Sequence, residues 1–286
     1  MSEDYGQELA VVIVTYSPGE TLDRCLDTLT KATTRPYRVV LADNGSDDGA
    51  PEKAAAARDN VTLLPTGGNL GYGTAANRGV ATLGQEYGWI VVANPDLEFG
   101  DGSLDTLLAA ADRWPRGGSF GPLIRQPTGE IYPSARMVPS IGKGVGHAVA
   151  GRFWPSNPWT KAYKQVDTVV EREAGWLSGS CLLMRREAFD SVDGFDPRYF
   201  MYFEDVDLGD RLGKAGWQNV YVPAAEVVHI QGHSTARVSD KMLAVHHDSA
   251  YRFIADRHQG LWWAPVRAGV KAGLALRLKA ETRKKS

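Results

Sequence analysis

The sequence lacks the features that most quickly place a chain outside the cytoplasm. Only two of its 286 residues are cysteine, Cys25 and Cys181, too few and too widely spaced for a disulfide framework or a zinc site. The N-terminal segment carries neither the basic region nor the apolar run of a signal peptide. No stretch approaches the roughly 20 apolar residues that span a bilayer. These absences predict a reduced, cytoplasmic protein.

An excess of charge of one sign is also lacking. The chain has 32 Lys and Arg against 34 Asp and Glu, a net charge of -2, so the molecule as a whole has no electrostatic preference for nucleic acid. Its hydrophobic content of 43% is ordinary for a globular protein. The length allows one large α/β domain or two small ones.

Short apolar runs alternate with helical patterns along the first half of the chain. The predicted strands are Leu9–Thr15, residues 38–42, residues 61–64, Trp89–Ala93 and residues 119–124, and the predicted helices contain Leu22, Leu26 and Leu29, residues 47–58 and residues 74–83. Strands alternating with helices indicate parallel βαβ units. Residues 126–175 show little periodicity, and a stretch of that kind is usually functional or mobile. Regular structure is predicted again at residues 180–185, in a helix opening near Glu204, and in strands around residues 220–222 and 226–230.

Polar residues follow the predicted strands where ligands bind in open α/β sheets. They are Thr15-Tyr16, Asp43-Asn44-Gly45-Ser46 and Asn94-Pro95-Asp96. Each group alone is typical of a turn or a helix cap. If the groups meet at one edge of a sheet, Asp43 can hold a base or ribose. Asp96 can then face a diphosphate through a divalent cation, because a carboxylate approaches phosphates only with a metal between them.

A glycine-rich loop supports a competing hypothesis. Gly71-x-Gly73-x-x-Ala76 matches the dinucleotide-binding fingerprint, and Asp96 lies twenty residues beyond Ala76, where a ribose-binding acid is expected. The alternative is therefore an NAD-dependent oxidoreductase. Against it, the loop follows the third strand rather than joining a strand tightly to its helix, and the second half of the chain stays unexplained.

Three carboxylates, Glu204, Asp205 and Asp207, open a predicted helix behind an aromatic run. Acidic residues are stabilised at a helix N-terminus, which is the structural interpretation, and a general base is the functional one. His229 ends a predicted strand, and a lone histidine is usually structural.

Taken in order, these motifs resemble family-2 glycosyltransferases. The resemblance runs from about residue 9 to residue 240 and rests on the joint order of the motifs. The matching elements are Val11-Ile13-Val14-Thr15-Tyr16, Asp43-Asn44-Gly45-Ser46-x-Asp48, Asn69-x-Gly71-Tyr72-Gly73, Asn77-Arg78-Gly79, Asn94-Pro95-Asp96, Trp176-Leu177-Ser178-Gly179, Gly194-Phe195-Asp196, Glu204-Asp205-Val206-Asp207 and His229.

The resemblance implies an α/β GT-A fold, with a nucleotide-sugar half over residues 9–125, an acceptor half over residues 126–255 and one continuous sheet. It implies an inverting, metal-dependent transferase with Asp205 as the catalytic base, Glu204 as the alternative base, and Asp96 and His229 as ligands of Mn²⁺ or Mg²⁺. Many relatives have Asp-x-Asp where this chain has Asn94-Pro95-Asp96, so metal binding is expected to be weaker. The implied nucleotide-sugar residues are Thr15, Tyr16, Asp43, Asn44, Gly71, Asn77, Arg78, Asn94 and Asp96. The implied acceptor residues are Trp176, Gly179, Tyr202 and Asp207, with Trp176 also interpretable as a core residue.

Within the family, the chain is most similar to bacterial rhamnosyltransferases. That likeness implies dTDP-β-L-rhamnose as donor, a polyprenyl-diphospho-linked N-acetylglucosamine as acceptor, and an α-1,3 linkage in the linker of cell-wall arabinogalactan. Residue chemistry alone does not distinguish dTDP from UDP or rhamnose from galactofuranose. A non-catalytic sugar- or nucleotide-binding module is a third hypothesis, against which Asp96, Asp205 and His229 argue.

The C-terminal segment, residues 256–286, is basic and amphipathic. Its eight Lys and Arg residues oppose two acids, Leu261-Trp262-Trp263 stands near its start, and Val270, Leu274 and Leu278 recur at helical spacing. This pattern predicts a helix lying on an anionic leaflet, and hence a peripheral protein on the inner face of the cell membrane. The alternative is a helix packed on the catalytic domain. Homo-oligomerisation is left open.

Overall fold

A mixed sheet forms the centre of the molecule in the computed structural model, which describes residues 8–139, 169–230 and 240–282. The strands are β1 (Leu9–Thr15), β2 (Tyr37–Asp43), β3 (Val61–Pro65), β4 (Trp89–Ala93), β5 (Leu97–Phe99), β6 (Gly117–Arg125), β7 (Ile131–Tyr132), β8 (Ala135–Arg136), β9 (Arg172–Ala174), β10 (Trp176–Leu177), β11 (Cys181–Arg185) and β12 (Gln218–His229).

The sheet joins both halves of the chain. Its strand order is β3-β2-β1-β4-β11-β6-β12-β5, with β7 paired to β6 and β9 paired to β12. The strands β1 to β4 are mutually parallel, β11 is antiparallel to both β4 and β6, and β12 is parallel to β6. The strands β8 and β10 form a separate antiparallel pair. The single continuous sheet implied by the family resemblance is therefore confirmed.

Helices cover both faces of the sheet. They are α1 (Thr21–Ala32), α2 (Ala50–Ala56), α3 (Tyr72–Ala81), α4 (Ser103–Arg113), α5 (Arg186–Asp190), α6 (Glu204–Lys214), α7 (Asp240–Arg257) and α8 (Ala264–Thr282), with a 3₁₀ turn at Leu261–Trp263. Alternate residues of β1 enter two different cores. Val11 and Ile13 pack with α1 and α4, whereas Ala10 and Val12 pack with α3 and α6. The continuous apolar run of β1 thus reflects burial on both faces, as predicted.

Two predictions of local structure need correction. The strands predicted at residues 220–222 and 226–230 are one strand, β12, whose pairing with β6 shifts register between Val222 and Glu226. Pro223 lies in that interval and has no N–H to donate to the ladder. The helix predicted from residue 47 starts at Ala50, because the Asp48 carboxylate accepts hydrogen bonds from the backbone of Gly19 and Ala50.

Some of the segments and divisions predicted from the sequence can be compared with the structure only over the residues that it describes. Residues 140–168 of the irregular stretch lie outside the described residues. The division predicted after residue 125 coincides with the end of β6, and the one after residue 255 falls inside α7. None of the helices in the described ranges is long and apolar enough to cross a bilayer. Both cysteines are free and buried.

Candidate active site

One edge of the sheet gathers the polar groups. The strands β1 to β4 end there, and β12 also ends there because it runs parallel to β6, which has the same direction as β4. The antiparallel strand β11 begins at this edge, and the Asn94 amide donates to the carbonyl of Ser180 over 2.9 Å. The convergence expected from the parallel strands is therefore confirmed.

Four buried polar residues, here called the strand-end cluster, lie at the ends of β1, β2 and β3: Thr15, Asp43, Asn44 and Thr66. The Thr15 hydroxyl donates to Oδ1 of Asp43 over 2.8 Å, and the backbone amide of Ser46 donates to Oδ2 over 3.1 Å. The Thr66 hydroxyl lies 2.9 Å from Oδ1 of Asn44. Asp43 thus has the turn-capping role of the structural interpretation, at the place where a nucleotide is expected.

Two longer side chains flank the strand-end cluster. Arg78 is exposed on α3, and its guanidinium donates to the carbonyl of Thr66. Tyr16 is 54% exposed beside Thr15. A cation and an aromatic ring at this edge are suited to a nucleotide diphosphate.

The glycine-rich loop packs against protein rather than leaving room for a pyrophosphate. A Cβ atom on Gly71, which has a φ of +88°, would lie 2.2 Å from the carbonyl oxygen of Phe200, and one on Gly73 would lie 2.7 Å from the Phe195 side chain. Asn77 bonds the backbone of Phe195 through both ends of its amide, over 2.7 and 2.9 Å. These residues join the two halves of the domain, and the dinucleotide-binding alternative loses its physical basis. The nucleotide contacts of Gly71 and Asn77 stay predictions.

A second group contains Asn94, Asp96 and His229. Strand β5 pairs with the end of β12 so that Leu97 faces His229, and the amide of Ile230 donates to the carbonyl of Asp96 over 2.9 Å. This pairing brings Nε2 of His229 to 3.0 Å from Oδ1 of Asp96 and 3.3 Å from Nδ2 of Asn94. Residues that are 133 positions apart in the chain are thereby held in contact.

The donor atoms of Asp96 and His229 fit a divalent cation. Two ligands about 2.1 Å from one ion and at right angles to each other are about 3.0 Å apart, which is the separation of these two atoms. An imidazole nitrogen with a carboxylate oxygen suits Mn²⁺ and related ions. Within the described ranges, no three or more His, Cys, Asp or Glu side chains are grouped to hold a metal. The protein would thus supply two ligands from this pair, and the diphosphate and water the others.

A third group, here called the carboxylate pair, is Glu204 and Asp205 at the start of α6. Asp205 is partly exposed, and its two oxygens accept from the amides of Gly179 over 3.0 Å and Val206 over 2.8 Å. Burial raises the pKa of Asp205, while these amides and the positive charge of Arg136 oppose the rise. Asp205 therefore combines access to substrate with donors that hold its charged form.

Glu204 has the opposite surroundings. Its side chain is 8% exposed, and its Oε2 has no hydrogen-bond partner among the described residues. Burial and the neighbouring charge of Asp205 raise the pKa of Glu204 to about 8. The two preceding residues, Tyr202 and Phe203, have φ angles of +66° and +68°, which is strained for bulky side chains. Strain of this kind concentrates at functional sites, and here it directs the first turn of α6.

Tyr72 links the groups. Its hydroxyl donates to the carbonyl of Gly179 over 2.6 Å, and its amide donates to the carbonyl of Phe200 over 3.0 Å. Burial, with the charges of Glu204, Asp205 and Asp96, raises the pKa of the Tyr72 hydroxyl well above its ordinary value. The carboxylates of Asp96, Glu204 and Asp205 therefore all lie within electrostatic range of the Tyr72 hydroxyl.

Two predicted acceptor residues also make structural contacts, and their acceptor roles stay predictions. Asp207 is buried, and its oxygens face Arg211 at 2.6 Å and Arg257 at 3.4 Å, so an ion-pair network already uses this carboxylate. Trp176 is 6% exposed, and its indole N–H donates to the carbonyl of Met137 over 3.1 Å. It packs with Tyr199 and so fits the core interpretation rather than an open sugar platform.

The other two acceptor residues stay predictions. Gly179 lies against Asp205, and the ring of Tyr202 contacts that of His246.

Three residues with clear positions in the site were missed by the sequence analysis. Thr66 directly follows β3, and Asp43 is the last residue of β2, so inspection of every strand end would have found Thr66. Tyr72 stands inside a recognised motif, but its contact with Gly179 joins residues 107 positions apart. No pattern in the sequence indicates that the charge of Arg136 acts on Asp205.

The chain matches the family model described as Glycosyl transferase family 2 over residues 10–193 and the model Glycosyltransferase like family 2 over residues 165–244. It is 60% identical over 279 residues to the N-acetylglucosaminyl-diphospho-decaprenol L-rhamnosyltransferase of Mycobacterium tuberculosis, covering 94% of this chain and 91% of that protein. It is 28% identical over 251 residues to the rhamnosyltransferase WbbL of Escherichia coli, covering 86% of this chain and 92% of that protein.

Solved structures share the fold. The mannosyltransferase PcManGT from Pyrobaculum calidifontis, in complex with GDP-Man and Mn²⁺, matches with a TM-score of 0.59 and 16% identity, covering 98% of this chain and 80% of that one. At this identity the likeness concerns the fold alone, and it confirms the GT-A architecture that the motifs implied.

Proposed function

The chain belongs to glycosyl transferase family 2, and on this premise we propose that it moves L-rhamnose from dTDP-β-L-rhamnose to a polyprenyl-diphospho-linked N-acetylglucosamine. The observation that carries the choice of sugar and acceptor is the 60% identity to the M. tuberculosis rhamnosyltransferase, which extends over 94% of this chain. The product would carry the α-1,3 linkage of the arabinogalactan linker.

The chemistry is a single displacement that inverts the anomeric carbon. The acceptor hydroxyl oxygen forms a bond to that carbon as the bond to the diphosphate oxygen breaks, and Asp205 takes the hydroxyl proton. Asp205 is suited to this role because it is partly exposed and holds its charge through two backbone amides. The strand-end cluster and Arg78 bind the nucleotide and its diphosphate.

Asp96 and His229 would hold a divalent cation, with Asn94 beside them. When bound, such an ion neutralises negative charge on the departing diphosphate. The Mn²⁺ present with the mannosyltransferase of similar fold supports this assignment. Residues 9–125 then serve the nucleotide sugar and residues 126–255 the acceptor.

Residues 256–286 are proposed to hold the enzyme on an anionic membrane surface, where a polyprenyl-linked acceptor is found. The most exposed apolar side chains of this segment lie in the 3₁₀ turn before α8 rather than along α8 itself. Val270, Leu274 and Leu278 are only half-exposed, since α8 packs on α7, whereas Leu261 is 89% and Trp262 95% exposed. Exposed apolar residues next to a basic helix are typical of interfacial binding.

The proposed reaction is tested by incubating the protein with dTDP-L-rhamnose and lipid-linked N-acetylglucosaminyl diphosphate, with Mn²⁺, with Mg²⁺, or with a chelator. Rhamnosylated lipid that forms only with a metal is expected. UDP-galactofuranose is the comparison donor, and transfer from it alone would keep the transferase and remove rhamnose. Binding of both substrates without turnover would favour the non-catalytic hypothesis.

The membrane contact is tested by flotation with phosphatidylglycerol vesicles and with phosphatidylcholine vesicles. Replacing Leu261 and Trp262 by Ser should release the protein from the anionic vesicles, as should removal of residues 264–286. The matched control replaces Val169 and Val170, which are 45% and 56% exposed elsewhere, by Ser. Equal flotation of all variants would contradict the proposal.

A further inference from the structure

The two members of the carboxylate pair are adjacent in sequence but have different hydrogen-bonding environments. Asp205 has a backbone amide on each oxygen, from Gly179 and from Val206. Such donors stabilise the charged form of a carboxyl group, because an ionised carboxylate only accepts hydrogen bonds. The structure therefore favours Asp205 as the member that carries the negative charge.

Glu204 is the member with the poorer set of donors, since the backbone amide that favours its charged form is its own. It is 8% exposed, and its buried Oε2 has no partner among the described residues. Buried polar atoms are nearly always hydrogen-bonded, and an orphan calls for an explanation such as a ligand that completes it. An ionised carboxylate in this position would be costly, since burial and the charge of Asp205 outweigh the one backbone amide that favours the charged form.

The charged and titratable groups around Glu204 also favour its neutral form. Asp205 on the same helix and Tyr202 on the preceding turn both interact with Glu204, and Tyr72 of α3 lies within range of its charge. His246 of α7 contacts the ring of Tyr202, and Arg136 acts on Asp205. Among the described residues, the charge that raises the pKa of Glu204 is the negative one of Asp205, which opposes a second negative charge beside it.

We propose that Glu204 is a neutral carboxylic acid that donates a hydrogen bond to the acceptor sugar, while Asp205 beside it takes the proton of the attacking hydroxyl. Two carboxyl groups whose surroundings separate their protonation states commonly divide the work of acid and base in this way. This inference rests on the proposed function, because it assigns Glu204 a role toward that acceptor.

The ligand atom is an oxygen with a free lone pair next to the reacting hydroxyl. In an N-acetylglucosamine attacked through the hydroxyl at position 3, the neighbours are the carbonyl of the acetamido group and the hydroxyl at position 4. Either oxygen can accept a hydrogen bond from the protonated carboxyl group of Glu204, whereas an ionised Glu204 has no proton to donate. The contact would select acceptors that carry an oxygen at this place.

Three variants separate a neutral donor from a base. Glu204→Gln keeps a donor of the same shape, Glu204→Leu keeps the volume without a polar group, and Glu52→Gln changes an exposed glutamate on α2 as the matched control. We expect Glu204→Leu to raise the acceptor KM about 10- to 100-fold, the range for an unmade buried hydrogen bond. Glu204→Gln should recover most of that loss.

The pH dependence gives a second readout. The wild-type acceptor KM should rise as pH passes about 8, where Glu204 loses its proton, and that of Glu204→Gln should stay flat. Glu204→Gln as inactive as Asp205→Asn would make Glu204 a base and overturn the inference. A Glu204→Leu variant with wild-type acceptor KM would overturn it as well.

A measurement without substrate distinguishes failure of this inference from failure of the proposed function. Carbon-13 NMR of glutamate carboxyls in the intact protein, with Glu204→Gln to assign the signal, should show Glu204 protonated at neutral pH. Titration at the ordinary value of a glutamate would remove the inference even in an enzyme that transfers rhamnose. A protonated Glu204 in a protein that transfers no sugar would instead remove the proposed function and the acceptor contact with it.

Discussion

The strand-end cluster and the carboxylate pair lie at the same edge of the sheet but treat buried charge in opposite ways. In the cluster, Asp43 accepts from the hydroxyl of Thr15 and from the amides of Gly45 and Ser46. In the pair, Glu204 is about as buried as Asp43, but its Oε2 finds no hydrogen-bond partner in the part of the chain that the structure describes. One group is complete before any ligand arrives, and the other is not.

This difference separates a surface that binds from a site that reacts. A completed network holds its side chains in one geometry and contributes to folding stability, since each buried polar group has its partner. An incomplete group costs stability, and it is retained where a shifted proton affinity serves chemistry. Substitutions in the cluster should therefore act mainly on stability, and substitutions in the pair mainly on the kcat or acceptor KM of the transfer reaction and on their pH dependence.

The largest effect is expected for Asp205→Asn, which keeps the shape of the side chain and removes the base. The kcat for sugar transfer should fall on the order of 10³-fold, within the range for a lost general base. The melting temperature should change little, because removal of a buried charge offsets the loss of an acceptor for one of the two backbone amides. Steady-state transfer assays and thermal unfolding measure the two quantities. A kcat within ten-fold of wild type would show that the base lies elsewhere.

Asp43→Ala should show the reverse balance. It leaves the Thr15 hydroxyl and the amide of Ser46 without their acceptor, so the free energy of unfolding should fall by about 2–4 kcal/mol. Denaturant unfolding measures this loss, and Asp47→Ala, at an exposed aspartate in the same turn, is the control. A stable Asp43→Ala protein that has lost only donor affinity would contradict the contrast between the two groups.

The sequence was sufficient for the features that depend on local patterns. The apolar runs of β1 and β4 were predicted with their observed bounds, because strands buried on both faces leave an uninterrupted signal. The convergence of Asp43, Asp96 and His229 on one edge followed from the family resemblance and from parallel strands ending together.

Features that depend on distant partners could not be predicted from the sequence. Asp207 was predicted to meet the acceptor, but Arg257, 50 positions away, returns on α7 to meet it. Trp176 could be read as a sugar platform or as a core residue, and its packing with Tyr199, which favours the core, is not visible in the sequence. The missing partner of Glu204 is likewise a property of the assembled site, because no sequence pattern distinguishes a satisfied acid from an orphaned one.

A smaller effect is expected for the pH dependence of stability. The pKa of Glu204 is raised from its ordinary 4.5 to about 8, so the folded state holds this proton more tightly than the unfolded state. Stability from this group is complete below pH 4.5 and is lost as pH rises toward 8. The free energy of unfolding of Glu204→Gln, relative to that of wild type, should therefore rise by on the order of 1–3 kcal/mol between pH 5 and pH 8. Chemical unfolding at several pH values measures the gain, with Glu52→Gln as control; a constant difference would mean that Glu204 is ionised in the folded protein.

The smallest effect is expected where the two regions are joined. Tyr72 follows Gly71, whose carbonyl accepts a hydrogen bond from the side-chain amide of Asn44 over 3.2 Å. The Tyr72 hydroxyl donates to the carbonyl of Gly179, and the backbone amide of Gly179 donates to Asp205. Tyr72→Phe removes only that hydroxyl, so unfolding should become easier by about 1 kcal/mol. The kcat should fall several-fold with donor affinity nearly unchanged, because the loosened element is the one that positions the base. Tyr87→Phe, at the opposite edge of the sheet just before β4, is the control. Equal losses of kcat and donor affinity in Tyr72→Phe would mean that the strand-end cluster and the carboxylate pair form one unit, and the contrast between a binding surface and a reacting site would no longer hold.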